Sequence, residues 1–95
     1  MITEVIRYHV KPGQEETFRE AYRQAGEFLD RSPDCDGYEI LQGIEEPQRF
    51  VVLIRWTSVE RHLEGFRKGA DFAAFFVVVK PFFESIEEMK HYQTR

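Results

Sequence analysis

Apolar and polar residues partly alternate over the first ten positions of the chain, which predicts a β-strand over Ile2–Val10. The even positions of this segment are the more apolar ones, so Tyr8 is expected to face the interior of the protein. Arg7 and His9 should then face the opposite side of the sheet. A Lys-Pro-Gly turn at positions 11–13 ends the strand.

The next three segments predict one long helix and two further strands. Apolar side chains recur at helical spacing over residues 14–31, and Pro33 ends that pattern. Residues 37–45 predict a second strand with Tyr38, Ile40 and Ile44 on one face. The third strand, over residues 49–56, contains the apolar run FVVLI and therefore must be covered on both faces. Because one layer of helices covers only one face, we expect the other face to pack on a second copy in a homodimer.

A second helix is predicted directly after Trp56, which is the only tryptophan of the chain. Thr57 and Glu60 have the spacing of a capping box at the start of this helix. Gly69 can adopt the left-handed backbone conformation that often follows the last residue of a helix. The expected apolar stripe of this helix places His62 at its edge. The stripe itself consists of Val59, Leu63 and Phe66.

The last part of the chain predicts a short aromatic helix and a charged final strand. Asp71 can cap the helix, which stops before Pro81. Residues 86–92 form a strand that is expected at the edge of the sheet or exchanged between domains. The apolar side chains at helical spacing in the short helix are Phe72, Phe75, Phe76 and Val79. The order β-α-β-β-α-β predicts an α+β, ferredoxin-like fold with a four-stranded antiparallel sheet.

Composition narrows the class of protein. Ninety-five residues fit one domain over 1–95, and the 42% apolar content indicates a folded chain. The net charge of −4 without a basic stripe argues against a nucleic-acid partner. No apolar run is long enough to span a membrane, and the first residues do not resemble a signal peptide, so a cytoplasmic location is expected. Cys35 has no second cysteine with which to form a disulfide.

Two stretches of the sequence carry a family resemblance. The segment RWTSVERHLEGFRKGADFAAFF, over residues 55–76, and the opening VIRYHVKPGQEE together resemble the antibiotic biosynthesis monooxygenase (ABM) family of dimeric α+β barrels. The resemblance implies that two sheets pair into a barrel around small-molecule sites. It does not extend to the haem-degrading branch of the superfamily, because this chain contains no Asn and has no second Trp.

The candidate catalytic residues are His62, Tyr8 and His91. His62 could act as a general base, Tyr8 could donate a hydrogen bond to a substrate oxygen, and His91 could close a partner's cavity from an exchanged final strand. Each also has a plain structural reading: a half-buried histidine, a core tyrosine and a surface imidazole. The predicted substrate-binding set is aromatic and comprises Trp56, Phe66, Phe72, Phe76 and Tyr38.

No metal or other cofactor is expected. No two histidines stand at ligand spacing, and no Cys or carboxylate cluster joins them in the sequence. Glycine-rich nucleotide motifs and a nucleophile elbow are also absent.

Three functions remain open at this point. The resemblance implies a cofactor-independent monooxygenase acting on a hydroquinone-like or polycyclic aromatic molecule. The same fold could instead carry a non-redox isomerase or lyase, or a dimer that binds a small molecule without catalysis.

Overall fold

The structure is a computed structural model that describes all 95 residues, and it forms one four-stranded antiparallel sheet. The strands are β1 (Ile2–Val10), β2 (Cys35–Gln42), β3 (Arg49–Trp56) and β4 (Phe83–Gln93), in the spatial order β2-β3-β1-β4. The helices are α1 (Glu15–Asp30), a π-helix (Arg61–Phe66), α2 (Ala70–Val79) and a 3₁₀ turn (Lys80–Phe82). The predicted βαββαβ order and ferredoxin-like fold are confirmed, and the predicted bounds of β1 and β3 match those of the structure.

The core lies between the sheet and the helices. Residues Ile6 and Tyr8 of β1 pair with Val52 and Phe50 of β3, and all four side chains are buried. This confirms that the even positions of β1 face the helices. Helix α1 closes the core with a buried stripe that consists of Phe18, Ala21, Tyr22, Ala25 and Leu29.

Several predicted boundaries are wrong. β2 ends at Gln42, so Ile44 lies in the following turn and is 90% exposed instead of sharing a face with Tyr38. β4 starts at Phe83 rather than near position 86. Gly69 is extended, with φ −88° and ψ 166°, and it precedes α2 instead of ending the previous helix in a left-handed conformation. A helix that widens into a π-turn and runs into α2 after a short turn does not need a left-handed end.

The outer face of the sheet carries apolar side chains that point away from the helices. Val51 and Leu53 of β3 are only partly buried, and Leu53 pairs with Val5 of β1 on the same face. Arg7 and His9 also lie on this side, as predicted. None of the helices combines the length and the apolar character that crossing a lipid bilayer requires.

Candidate active site

The π-helix places His62 inside the protein. Its first turn is held by Ser58, whose hydroxyl accepts a hydrogen bond from the Arg61 backbone N–H at 3.0 Å; the predicted cap at Thr57 is wrong. The Arg67 N–H donates to the His62 carbonyl at 2.9 Å, which is the five-residue spacing of a π-turn. Such turns occur frequently at functional sites.

Asp34, in the loop between α1 and β2, fixes the position of the π-helix. Its carboxylate accepts a hydrogen bond from Arg61 Nε at 2.8 Å. Gly65 permits this close approach, because a Cβ at that position would lie 2.5 Å from Asp34 Oδ2. A short acidic loop residue and a glycine therefore define how the π-helix sits on the sheet.

The side chains of the π-helix point in directions that the sequence did not predict. His62 is 2% exposed and lies in the core together with Phe66, whereas Leu63 is 38% exposed. The expected stripe assumed α-helical spacing from a start at Thr57. The π-turn and the cap at Ser58 rotate His62 from the edge of the apolar face to its centre.

His62 is surrounded on three sides by Trp56, His91 and Glu4. Its ring stacks on Trp56 with the ring centres 4.2 Å apart and the planes 11° apart. Its Nδ1 lies 2.8 Å from His91 Nε2, and its Nε2 lies 3.5 Å from Glu4 Oε1. The indole N–H of Trp56 donates to the same Glu4 oxygen at 3.1 Å. Both ring nitrogens of His62 therefore face a polar partner.

Glu4 was missed in the sequence. It is 3% exposed, and it lies on the same face of β1 as Ile6 and Tyr8. Because the even positions of that strand face the interior, position 4 was already expected on the interior face, and a carboxylate there is unusual enough to indicate a site. The antiparallel register sets Glu4 directly opposite His91 of β4, which brings the two side chains to one face.

Burial sets the protonation of this cluster. Burial raises the pKa of Glu4, although the hydrogen bond from Trp56 and the charge of Arg67 oppose that rise. Burial first, and then the nearby His91 and Arg67, lower the pKa of His62 to about 4. The pKa of His91 is also lowered, by burial first and then by Arg67. Both imidazoles are therefore neutral near pH 7 and available to accept or pass on a proton.

A small cavity lies beside His62, between the sheet and the C-terminal helical segments. The space open to a water-sized molecule is about 20 Å³, which is room for one water. Its wall is mostly apolar and includes Glu4, Tyr8, Trp56, His62, Phe66, Arg67, Phe72, Phe75, Phe76 and Met89. An aromatic substrate can occupy this site only if some of these rings move.

Phe72 and Phe76 are the rings best placed to move, because they are only half-buried. The guanidinium of Arg67 lies 5.0 Å above the Phe72 ring. Phe76 borders both the inner cavity and an outer groove that also includes Lys11 and Lys80. Phe76 is therefore a wall that the two spaces share.

The structure brings together most of the predicted site residues. Tyr8 lines the cavity, and its hydroxyl lies 3.4 Å from that of Tyr22. His91 is half-buried against His62 of its own chain rather than being a surface imidazole, and it does not line the cavity. Tyr38 does not line it either, since its ring lies by Gly26 and 6.4 Å from the Tyr22 ring. The other predicted binding residues, which are Trp56, Phe66, Phe72 and Phe76, all do.

Glu4, His62 and His91 each offer one ligand atom within 4.8 Å of the others. The expectation that no carboxylate joins the histidines is therefore wrong. However, Glu4 and His91 approach opposite nitrogens of the His62 ring. A single metal ion can bond only one of these two nitrogens. The geometry is that of a row of three side chains, in which His62 and His91 are within hydrogen-bond distance and Glu4 lies 3.5 Å from the far nitrogen of His62.

Comparison with known proteins places the chain in a family. The sequence model of the antibiotic biosynthesis monooxygenase family matches residues 1–78. A Bordetella bronchiseptica structure whose name assigns it to the antibiotic biosynthesis monooxygenases is 31% identical, with a TM-score of 0.93 over 99% of this chain and 96% of that one. SnoaB, a cofactor-independent oxygenase from Streptomyces nogalater, shares the fold with a TM-score of 0.85 at 17% identity, over 99% of this chain and 92% of its own. The uncharacterised protein YczJ of Bacillus subtilis (strain 168) is 26% identical over 98% of both chains.

Proposed function

Because the chain belongs to the antibiotic biosynthesis monooxygenase family, we propose that it is a cofactor-independent monooxygenase for a hydroquinone-like or polycyclic aromatic molecule. The observation that carries this proposal is the buried pair of Glu4 and His62 in the wall of an aromatic cavity. Catalysis of this reaction without a cofactor needs a base, a dry site and a donor for the developing negative charge.

The Glu4–His62 pair is the proposed base. A carboxylate whose pKa is raised by burial accepts a proton more readily than an exposed one, and it does so here at the cavity wall. The indole N–H of Trp56 donates a hydrogen bond to that carboxylate at 3.1 Å, and Nε2 of neutral His62 lies 3.5 Å from the same oxygen. The base is therefore the pair rather than His62 alone.

The reaction balances without a bound redox group. The base removes a hydroxyl proton, and the electron-rich ring carbon of the anion gives its electrons to O₂ and forms a C–O bond. The peroxide takes the proton back from the base. Loss of the ring hydrogen with cleavage of the O–O bond then releases water and leaves a new C=O group. A hydroquinone and O₂ thus give a hydroxyquinone and water, and the substrate supplies all four electrons.

Tyr8 is the proposed donor at the far end of the substrate. It lies four residues from Glu4 on the same strand and on the same face, so the two Cα atoms are ~13 Å apart. Both side chains line the cavity. A molecule that contacts both is several fused rings long, which favours a polycyclic substrate over a single ring.

Oxygen uptake tests the proposal. Fused-ring hydroquinones should be consumed together with O₂, and the Phe76→Ala variant should accept larger ones because it widens the route from the outer groove. Turnover without oxygen uptake would indicate the isomerase or lyase instead. Saturable binding without turnover would indicate a binding protein. If neither the wild type nor Phe76→Ala binds such molecules, the site is rejected.

The outer sheet face supports a homodimer. We expect light scattering at micromolar concentration to give about twice the 11.3 kDa chain mass, because Val51 and Leu53 lack a covering layer within one chain. Leu53→Lys should shift the protein toward monomers by burying a charge in that interface. Ile44→Lys is the matched control, since Ile44 lies off the sheet in a turn. A stable wild-type monomer would reject the dimer.

A further inference from the structure

We propose that Glu4, His62 and His91 form a proton relay that connects the closed cavity to solvent. The relay is a property of the folded protein, whereas its role in turnover rests on the proposed monooxygenase function. The proposal concerns how a buried carboxyl group gains and loses its proton without any buried imidazolium.

The geometry gives the relay a direction. Glu4 and His62, both in the cavity wall, are 3% and 2% exposed, and the half-buried His91, which does not line the cavity, lies beyond His62 on edge strand β4. The two links use opposite nitrogens of the His62 ring, at 3.5 Å and 2.8 Å. His91 Nε2 faces His62, so its Nδ1 is the end of the chain that remains for water. Trp56 stacks on His62 and keeps the ring in this orientation.

The relay has two states that differ by one proton. In the first, Glu4 is ionised and both histidines carry their proton on Nε2, with His91 donating to His62 and His62 donating toward Glu4. A proton from water then binds His91 Nδ1, the Nε2 proton of His91 moves to His62 Nδ1, and the Nε2 proton of His62 moves to Glu4. In the second state, Glu4 is neutral and both histidines carry their proton on Nδ1.

Neither state contains an imidazolium, which agrees with the low pKa of His62. The charged and titratable groups around His62 are Glu4 from β1, His91 from β4 and Arg67 at the end of the π-helix. Arg67 acts on all three members of the relay and disfavours a positive charge on either ring. Two coupled proton shifts avoid that charge because each ring gains one proton as it loses another.

The proposed role in turnover follows from burial. When an aromatic molecule fills the cavity, Glu4 has no direct contact with water. The relay then adds a proton to Glu4 or removes one from it through His91, which exchanges protons with water at edge strand β4. His91 is therefore a positioning residue that acts through His62, since it does not line the cavity.

Nitrogen NMR of ¹⁵N-labelled protein tests the relay without any substrate. As the pH is lowered through the titration of Glu4, both His62 and His91 should change from the Nε2–H to the Nδ1–H tautomer together. The change should share one midpoint with the titration of the Glu4 carboxyl carbon. A chelator is present throughout, because a bound ion would itself fix the tautomers.

Two variants make the test specific. In Glu4→Gln the tautomers should stay constant over the same pH range, because residue 4 can no longer ionise. In Arg67→Gln the coupled change should persist with a higher midpoint, because the cation that opposes protonation of Glu4 is gone. Formation of an imidazolium during the Glu4 titration, or unchanged tautomers in the wild type, would overturn the relay.

Failure of the relay and failure of the proposed function give different results. Coupled tautomers in a protein without oxygen uptake keep the relay and reject the monooxygenase. An active monooxygenase whose tautomers do not change rejects the relay alone. If both the relay and the monooxygenase activity are found, His91→Gln should lower kcat with little change in KM. It should also alter the solvent deuterium isotope effect on kcat, whereas loss of a purely structural contact would leave that isotope effect unchanged.

Discussion

His62→Ala should lower turnover of an accepted aromatic substrate by ~10²–10⁴-fold, the usual cost of losing a general base. His62 orients the Glu4 carboxylate and passes its proton onward, and alanine can do neither. The rate is measured as oxygen uptake under saturating substrate, with folding checked by circular dichroism.

Two further variants set the scale of that effect. Tyr8→Phe should be milder, at about tenfold for one hydrogen bond worth ~1.4 kcal/mol. His9→Ala should leave the rate unchanged, because His9 lies on the opposite face of β1 and outside the cavity wall. A His62→Ala rate within about threefold of wild type contradicts the assignment of the base. If His91→Ala is the only variant that loses most of its turnover rate, the base lies on β4, and the fold assignment is unaffected.

The sequence predicts the scaffold well because its signals are local and periodic. Alternation in β1, the apolar run of β3 and the stripe of α1 each depend only on spacing along the chain. These patterns reproduce the element order and the interior face of β1. The turn residues near Ile44 and Gly69 are predicted less well, since several backbone paths satisfy the same short motif.

The site is harder to predict because strand register and the π-turn decide it. Nothing local in the sequence pairs Glu4 with His91, since they are 87 positions apart and meet only through the antiparallel register. The rotation of His62 into the core depends on a cap at Ser58 and on the contact of Asp34 with the π-helix. The aromatic lining, by contrast, is predictable, because large apolar rings at helical spacing share one face and gain free energy when that face packs on the sheet.

The buried imidazole also predicts how the fold responds to acid. The pKa of His62 is about 4 in the folded protein and 6.5 as its ordinary value, so the unfolded chain binds a proton there that the folded chain refuses. The stability that the neutral His62 ring contributes is therefore complete above pH 6.5 and decreases as the pH falls toward 4. A shift of this size corresponds to a loss of about 3 kcal/mol across that window, at ~1.4 kcal/mol per pH unit. Urea unfolding near pH 7 and near pH 4.5, at one protein concentration, measures it.

Glu4 contributes with the opposite sign, which allows the two groups to be separated. Its raised pKa means that the folded protein binds a proton more readily than the unfolded chain, so acidification toward 4.5 restores part of the stability. Glu4→Gln should therefore steepen the loss of stability in acid. His62→Gln, which keeps polar contacts but cannot be protonated, should flatten it. An unchanged pH dependence in His62→Gln would mean that the ring accepts its proton as easily folded as unfolded, and that the stack on Trp56 does not keep it neutral.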